Sequence, residues 1–144
     1  MTIDNINWKR REILNNHRKN SQIRKDLVRK NKYYYSYISK ILKHIVEPNK
    51  KVLLLKSDLG EFLNDVNPSY GLGLDYTEEL AKLAKQRYPR LDFKHANFED
   101  LSNIKEKFDY IIIFNLLDDI VDVLKLFKQV HNIADDRSRI VIIN

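Results

Sequence analysis

After Pro48 the sequence repeats one pattern: a short run of Leu, Val or Ile, a stretch with helical spacing, then another apolar run. Val52-Leu53-Leu54-Leu55, Tyr110-Ile111-Ile112-Ile113-Phe114 and Ile140-Val141-Ile142-Ile143 are continuous rather than alternating. A strand exposed on one face alternates apolar and polar residues, so unbroken runs belong to strands covered on both faces, as in a parallel sheet between layers of helices. The spacing predicts strand one at Val52–Leu55, a short helix over 60–66, strand two at Gly71–Leu74 ending at Asp75, strand three over 91–96, strand four at Tyr110–Phe114 and strand five at Arg139–Ile143. Thr77 is placed to cap the helix after strand two. Glu78 and Glu79 stand in its first turn, Leu80, Leu83, Ala84 and Tyr88 form its apolar face, and Pro89 ends it. A further helix is expected over 118–132, with Val121, Leu124, Phe127 and Val130 or Ile133 inward. Right-handed crossovers applied to this order give a doubly wound five-stranded sheet, with a ligand crevice at the carboxyl ends of strands one, two and four.

The first 48 residues have a different texture, a basic helical segment that precedes an α/β domain over 49–144. Trp8 to Ile45 contains neither Gly nor Pro, and Tyr34, Ile38, Ile41, Leu42 and Ile45 fall at helical spacing, which predicts one or two amphipathic helices. Residues 1–50 hold 13 Lys and Arg against 4 Asp and Glu, a net +9, whereas residues 51–144 hold 13 against 16, a net −3. Clustered cations of this kind suit phosphates, so nucleic acid is one possible partner; a solvated helix face is the other reading. Ile23, Leu27 and Val28 interrupt the basic run and are expected to lie against the body of the fold. Tyr33, Tyr34 and Tyr35 cannot share one helix face, so at least one should border a cleft or a partner.

Several chemistries are excluded. The 144 residues contain no Cys, which removes disulfides, thiolate metal sites and cysteine nucleophiles. The four His are not paired at ligand spacing, and Asp118 and Asp119 read as helix-start carboxylates rather than metal ligands, so no metal is expected. There is no Walker loop, nucleophile elbow or His-Glu-x-x-His. No apolar run approaches the ~20 residues that span a bilayer, and the first residues lack a leader pattern, so a cytoplasmic protein without membrane association is expected.

The segments Val52 to Gly60, Gly71-Leu72-Gly73-Leu74-Asp75, Phe93 to Leu101 and Phe108-Asp109-Tyr110-Ile111-Ile112 together resemble the cofactor half of class I, Rossmann-like S-adenosylmethionine methyltransferases. With Trp8-Lys9-Arg10-Arg11 and the three tyrosines, the chain is most similar to methyltransferase domains associated with glycosyltransferases. The resemblance implies S-adenosylmethionine as cofactor and a glycan or other small molecule as methyl acceptor. It also implies further strands after strand five that are absent here, leaving an apolar sheet edge for a second copy or a partner chain.

In that family strand one runs into an acidic residue and a Gly-x-Gly-x-Gly loop that admits the methionine part of the cofactor. Here the corresponding positions are Leu54, then Lys56, Asp58 and Gly60, so one glycine of three is kept. The resemblance assigns cofactor contacts to Lys56, Ser57 and Gly60 in this loop, to Asp75 as acceptor for the ribose hydroxyls and to Tyr76 beside the adenine. It adds Asn97 and Phe98 after strand three and Asn115 at the end of strand four. Asp75 also has a purely local role open to it, at the start of the next helix. Asn115-Leu116-Leu117-Asp118 lacks the Asn-Pro-Pro-Tyr signature of amino-group methyltransferases, and no catalytic residue is assigned. Methyl transfer needs donor and acceptor held in line more than it needs a base, so an active enzyme and a silent pseudoenzyme that keeps the fold as a binding module both remain open.

Overall fold

The apolar runs pair side by side into one parallel sheet in a computed structural model that describes residues 3–21 and 23–144. The elements in chain order are α1 (Ile3–Ser21), α2 (Arg24–Lys30), α3 (Lys32–Ile45), β1 (Lys51–Leu55), α4 (Glu61–Asp65), β2 (Tyr70–Asp75), α5 (Glu78–Arg87), β3 (Asp92–His95), β4 (Tyr110–Phe114), a 3-10 turn (Leu117–Asp119), α6 (Val123–Asn132) and β5 (Arg139–Ile143). The strand order β3-β2-β1-β4-β5 reverses direction of growth at β1, between β2 and β4, and this places the crevice where the strand pattern predicts it.

Strand alternation divides the core into two layers. Leu53, Leu55, Ile111 and Ile113 face α6, whose Leu126 and Val130 are fully buried, and Ile13 and Leu14 of α1 pack on the same layer. Val52, Leu54, Ile112 and Phe114 face α3 and α4 through Ile38, Leu42, Phe62 and Leu63. Each of these central residues is covered on both sides, which is why their runs are unbroken. The edge strand β5 is different: Ile140 and Ile142 are 44% and 46% exposed.

Gly73 of β2 is required by packing. A Cβ there would lie 2.5 Å from the Phe93 ring and 2.8 Å from Ser57 Cβ, so a side chain would push the loop after β1 off the sheet.

Three expectations are corrected. The N-terminal stretch forms three helices, and Ile23 just before α2 is 49% exposed, while Arg24, Leu27 and Val28 are half-buried. Arg24 also forms an ion pair with Asp58. Helix α6 begins at Val123 rather than at 118, capped by Asp122, whose carboxylate accepts from Lys125 N at 2.9 Å. The later start shifts its inward face to Leu126, Val130 and Ile133 and leaves Leu124 66% exposed. No described helix is long and apolar enough to cross a membrane.

Candidate cofactor crevice

The loop leaving β1 holds left-handed backbone at two residues that carry side chains as well as at its glycine. Lys56, Asp58 and Gly60 have φ of 63°, 48° and 86°, and Asn115, at the end of β4, has φ of 43°. Left-handed backbone costs a residue such as Lys roughly 1 kcal/mol or more, so the tertiary structure must impose it. Two main-chain bonds do so: Ser57 N donates to Leu74 O at 2.9 Å and Gly60 N to Ser57 O at 2.8 Å.

Asp75 closes this loop onto β2. Its carboxylate accepts from Asp58 N at 2.9 Å and from Thr77 N at 3.4 Å, and the residue is 1% exposed. Burial, followed by the nearby charge of Asp58, raises its pKa to about 7. Asp75 thus fills its local role, bracing the loop and the start of α5. Thr77 caps α5 as expected, accepting from Leu80 N at 3.3 Å.

Helix α1 lies across the opening and fills it with side chains. Asp119 is the centre: its Oδ2 accepts from Lys56 Nζ at 2.6 Å and pairs with His17 Nε2 at 3.0 Å. Lys56 Nζ also donates to Asn115 O at 2.6 Å, so this side chain spans the gap between the ends of β1 and β4. Burial opposes ionisation of Asp119, yet the bonds from His17 and Lys56 outweigh it and hold its pKa down to about 2. The His17 ring stacks on Tyr76, with centroids 4.5 Å apart and planes at 26°. Tyr76 OH donates to Asp119 O at 3.2 Å, and burial, then Asp119 and Glu99, push its pKa up. Two further ion pairs fasten the helical segment, Arg24 to Asp58 and Arg10 to Glu99.

The remaining expected contacts are distributed unevenly. Phe98 is fully buried behind Tyr76, edge to face at 4.5 Å. The Asn97 side-chain oxygen accepts from Glu99 N at 3.0 Å, within its own turn. Ser57 Oγ is buried with no hydrogen-bond partner, a polar atom left available in the loop. Lys56, Tyr76 and Asn97 line the space at the strand ends, Asn115 joins it through its bond to Lys56 Nζ, and Ser57, Asp75, Gly60 and Phe98 are buried behind it.

Two cavities survive beneath α1. One, of about 190 Å³, lies among Tyr76, Ala96, Asn97, Glu99, Arg10 and Ile120; the other, of about 250 Å³, lies among His17, Asn20, Arg24, Lys56 and Asp58. Each is below the roughly 300 Å³ at which pockets for cofactor-sized ligands begin. The polar groups suit an adenosine, with Asp75 for a diol and Tyr76 for a base, and the His17 ring of α1 occupies the face of Tyr76.

Sequence reasoning missed Arg10, His17, Arg24, Glu99 and Asp119. The signal was the charge asymmetry itself: the basic N-terminal segment finds three carboxylates at the strand ends, Asp58, Glu99 and Asp119. Among the described residues no cluster of His, Asp or Glu has the arrangement of a metal site.

The family model described as a methyltransferase domain matches residues 56–144, more than half of the chain, and the chain belongs to that family. A curated relative, the putative methyltransferase 235L of invertebrate iridescent virus 6, is 31% identical over 72 residues, covering 50% of this chain and 27% of the viral protein. A similar solved structure is the putative methyltransferase in complex with the Trm112 methyltransferase activator of Haloferax volcanii, with a TM-score of 0.69, 18% identity, and coverage of 85% of this chain and 58% of that one. Another is a methyltransferase from Thiobacillus denitrificans in complex with S-adenosyl-L-homocysteine, with a TM-score of 0.58, 18% identity, and coverage of 74% and 46%. The fold is therefore the α/β Rossmann-like fold of S-adenosylmethionine-dependent methyltransferases. The chain spans about a quarter of the viral relative and about half of these solved chains.

Proposed function

We propose that this chain is an S-adenosylmethionine-dependent methyltransferase domain held in a closed state, with helix α1 acting as a lid on its own cofactor crevice. The observation that carries this reading is the cluster around Asp119, which joins Lys56 of the β1 loop to His17 of α1 and sets the His17 ring on Tyr76, where an adenine would rest. In the open state Asp75 accepts from the ribose hydroxyls, Tyr76 faces the base, and Ser57 Oγ supplies a further polar contact. The cofactor contributes an electrophilic methyl group; the chain binds and orients it. Because only the open fraction binds, apparent affinity falls by that fraction. The acceptor, a glycan or another small molecule, rests on the resemblance alone. The activator bound to the archaeal neighbour supports a partner chain as the agent that opens the lid or covers the β5 edge.

A second reading has its own support. Lys56 belongs to the loop, so its bridge from β1 to Asn115 can close the methionine half even when α1 is displaced, which would make the domain a silent binding module. Calorimetric titration with S-adenosyl-L-homocysteine separates the two. A variant combining Arg10→Ala, His17→Ala and Arg24→Ala should bind about tenfold or more tightly than the unaltered chain, and adding Asp75→Ala should abolish that gain. If the loosened variant binds no better, but Lys56→Gly restores binding, the lid reading fails and the silent module stands.

A further inference from the structure

A second concave surface lies on the other side of the N-terminal helices, an open trough of about 840 Å³ between α2 and α3 on one wall and α4 with the end of α5 on the other. It shares no lining residue with the two cavities under α1. Its floor is aromatic: Tyr35 stacks on Phe62 with centroids 5.6 Å apart. Its α2–α3 wall is basic, while the α4 wall carries Glu61 and Asp65, the latter accepting from Ser39 Oγ. Arg87 is paired with Glu61 and Arg29 with Asp26, whereas among the described residues Lys25, Lys32, Lys40 and Lys43 have no ion-pair partner.

The rim of the trough continues this chemistry. On α3, Tyr33, Tyr37 and Lys40 follow one another at helical spacing, next to the stripe of Lys32, Ser36 and Lys43 that lines the wall. Tyr33 is 87% and Tyr37 57% exposed, while the opposite face of the same helix buries Ile38 and Leu42 in the core. Two exposed aromatic rings on one basic helix face are more than solvation of charge requires.

We propose that this surface binds single-stranded nucleic acid, with the phosphates in the lysine-lined trough and bases stacked on Tyr33 and Tyr37. Unpaired cations beside open aromatic faces are what a strand with exposed bases needs: charge for the backbone, and a flat apolar surface for the rings. An anionic membrane fits less well, because the apolar face of α3 is already spent on the core and the lysines line a concavity rather than a plane. The proposal does not depend on the closed crevice and survives if the lid reading fails.

Fluorescence anisotropy of labelled oligo-uridine and oligo-thymidine of about 12 nucleotides, with the full chain, tests it. Four lysines releasing counterions give a log–log salt slope of about −3, roughly a fifty-fold loss of affinity between about 50 and about 200 mM salt. Lys32→Glu, Lys40→Glu and Lys43→Glu together should weaken binding and flatten that slope to about −1. Tyr33→Ala with Tyr37→Ala, both exposed and so removable without unfolding the chain, should weaken binding about tenfold or more and leave the slope unchanged. A ribose or a deoxyribose strand supports the proposal, and the comparison says which the site prefers. No binding at about 50 mM salt, an unchanged affinity in the tyrosine variant, or tighter binding to duplex DNA or phosphatidylserine vesicles overturns it.

Discussion

Asp75 is an acid that the fold holds against its own ionisation. Its pKa is raised to about 7 from the usual 3.8, first by burial and then by Asp58, so the folded chain retains a proton that the unfolded chain has lost. The sign follows: this residue costs nothing below about pH 4, and its stability penalty grows as pH rises from there to about 7. Asp75→Asn does not titrate, but it offers one acceptor oxygen where two main-chain N–H groups need one each. The variant should therefore melt below the unaltered chain at pH 5, and the gap should narrow or reverse by pH 8. Parallel melting curves across that range would show that the carboxylate is not the group responsible. The same residue illustrates how far the sequence reveals a site. Its position after Gly-Leu-Gly-Leu points to the crevice, yet only the fold shows that Gly73 is small because Ser57 and Phe93 crowd it.

At the scale of elements, strands were easier to read than helix starts. β4 runs between the residues at which its apolar run begins and ends, because continuous burial leaves no other pattern for a short parallel strand, and β5 begins one residue before its run although it lies at the exposed edge. Helix α6 was harder. Asp118, Asp119 and Asp122 all suit a helix N-terminus, and the sequence alone does not rank them. Tertiary bonds decide: Asp119 is drawn to Lys56 and His17, Val121 N donates to Glu99 Oε1 at 3.2 Å, and Asp122 is left to cap. Asp122→Ala is accordingly expected to lower stability by about 1 kcal/mol in urea unfolding, with no change in the His17 contact. An equal loss from Asp118→Ala, whose carboxylate makes no cap, would argue for a different helix start. The crevice itself was half legible, since the strand ends were named from spacing while the side chains that fill it came from 34 to 102 residues away in sequence.

For the molecule as a whole, α1 is only lightly committed to the core. Ile13 and Leu14 pack on it only partly buried, and its other contacts include the ion pairs of Arg10 and His17 and the stack of His17 on Tyr76. Such elements open locally well below the free energy of global unfolding. Trp8, the only Trp in the chain, sits on α1 and is 62% exposed, which makes it a reporter of that motion. Asp119 has a pKa lowered to about 2 from 3.8 despite its partial burial, by His17 and Lys56, so its contribution is present above about pH 4 and is lost as pH falls towards 2. Asp119→Asn removes that charge at neutral pH and should lower Trp8 fluorescence anisotropy while the melting of the sheet stays cooperative; unchanged anisotropy would mean that α1 is held by its apolar contacts. The left-handed turns at Lys56 and Asp58 carry a last consequence. Both residues stand in backbone that glycine enters at no steric cost, so Lys56→Gly with Asp58→Gly would leave the main chain where it is and lift the strain that two side chains now impose.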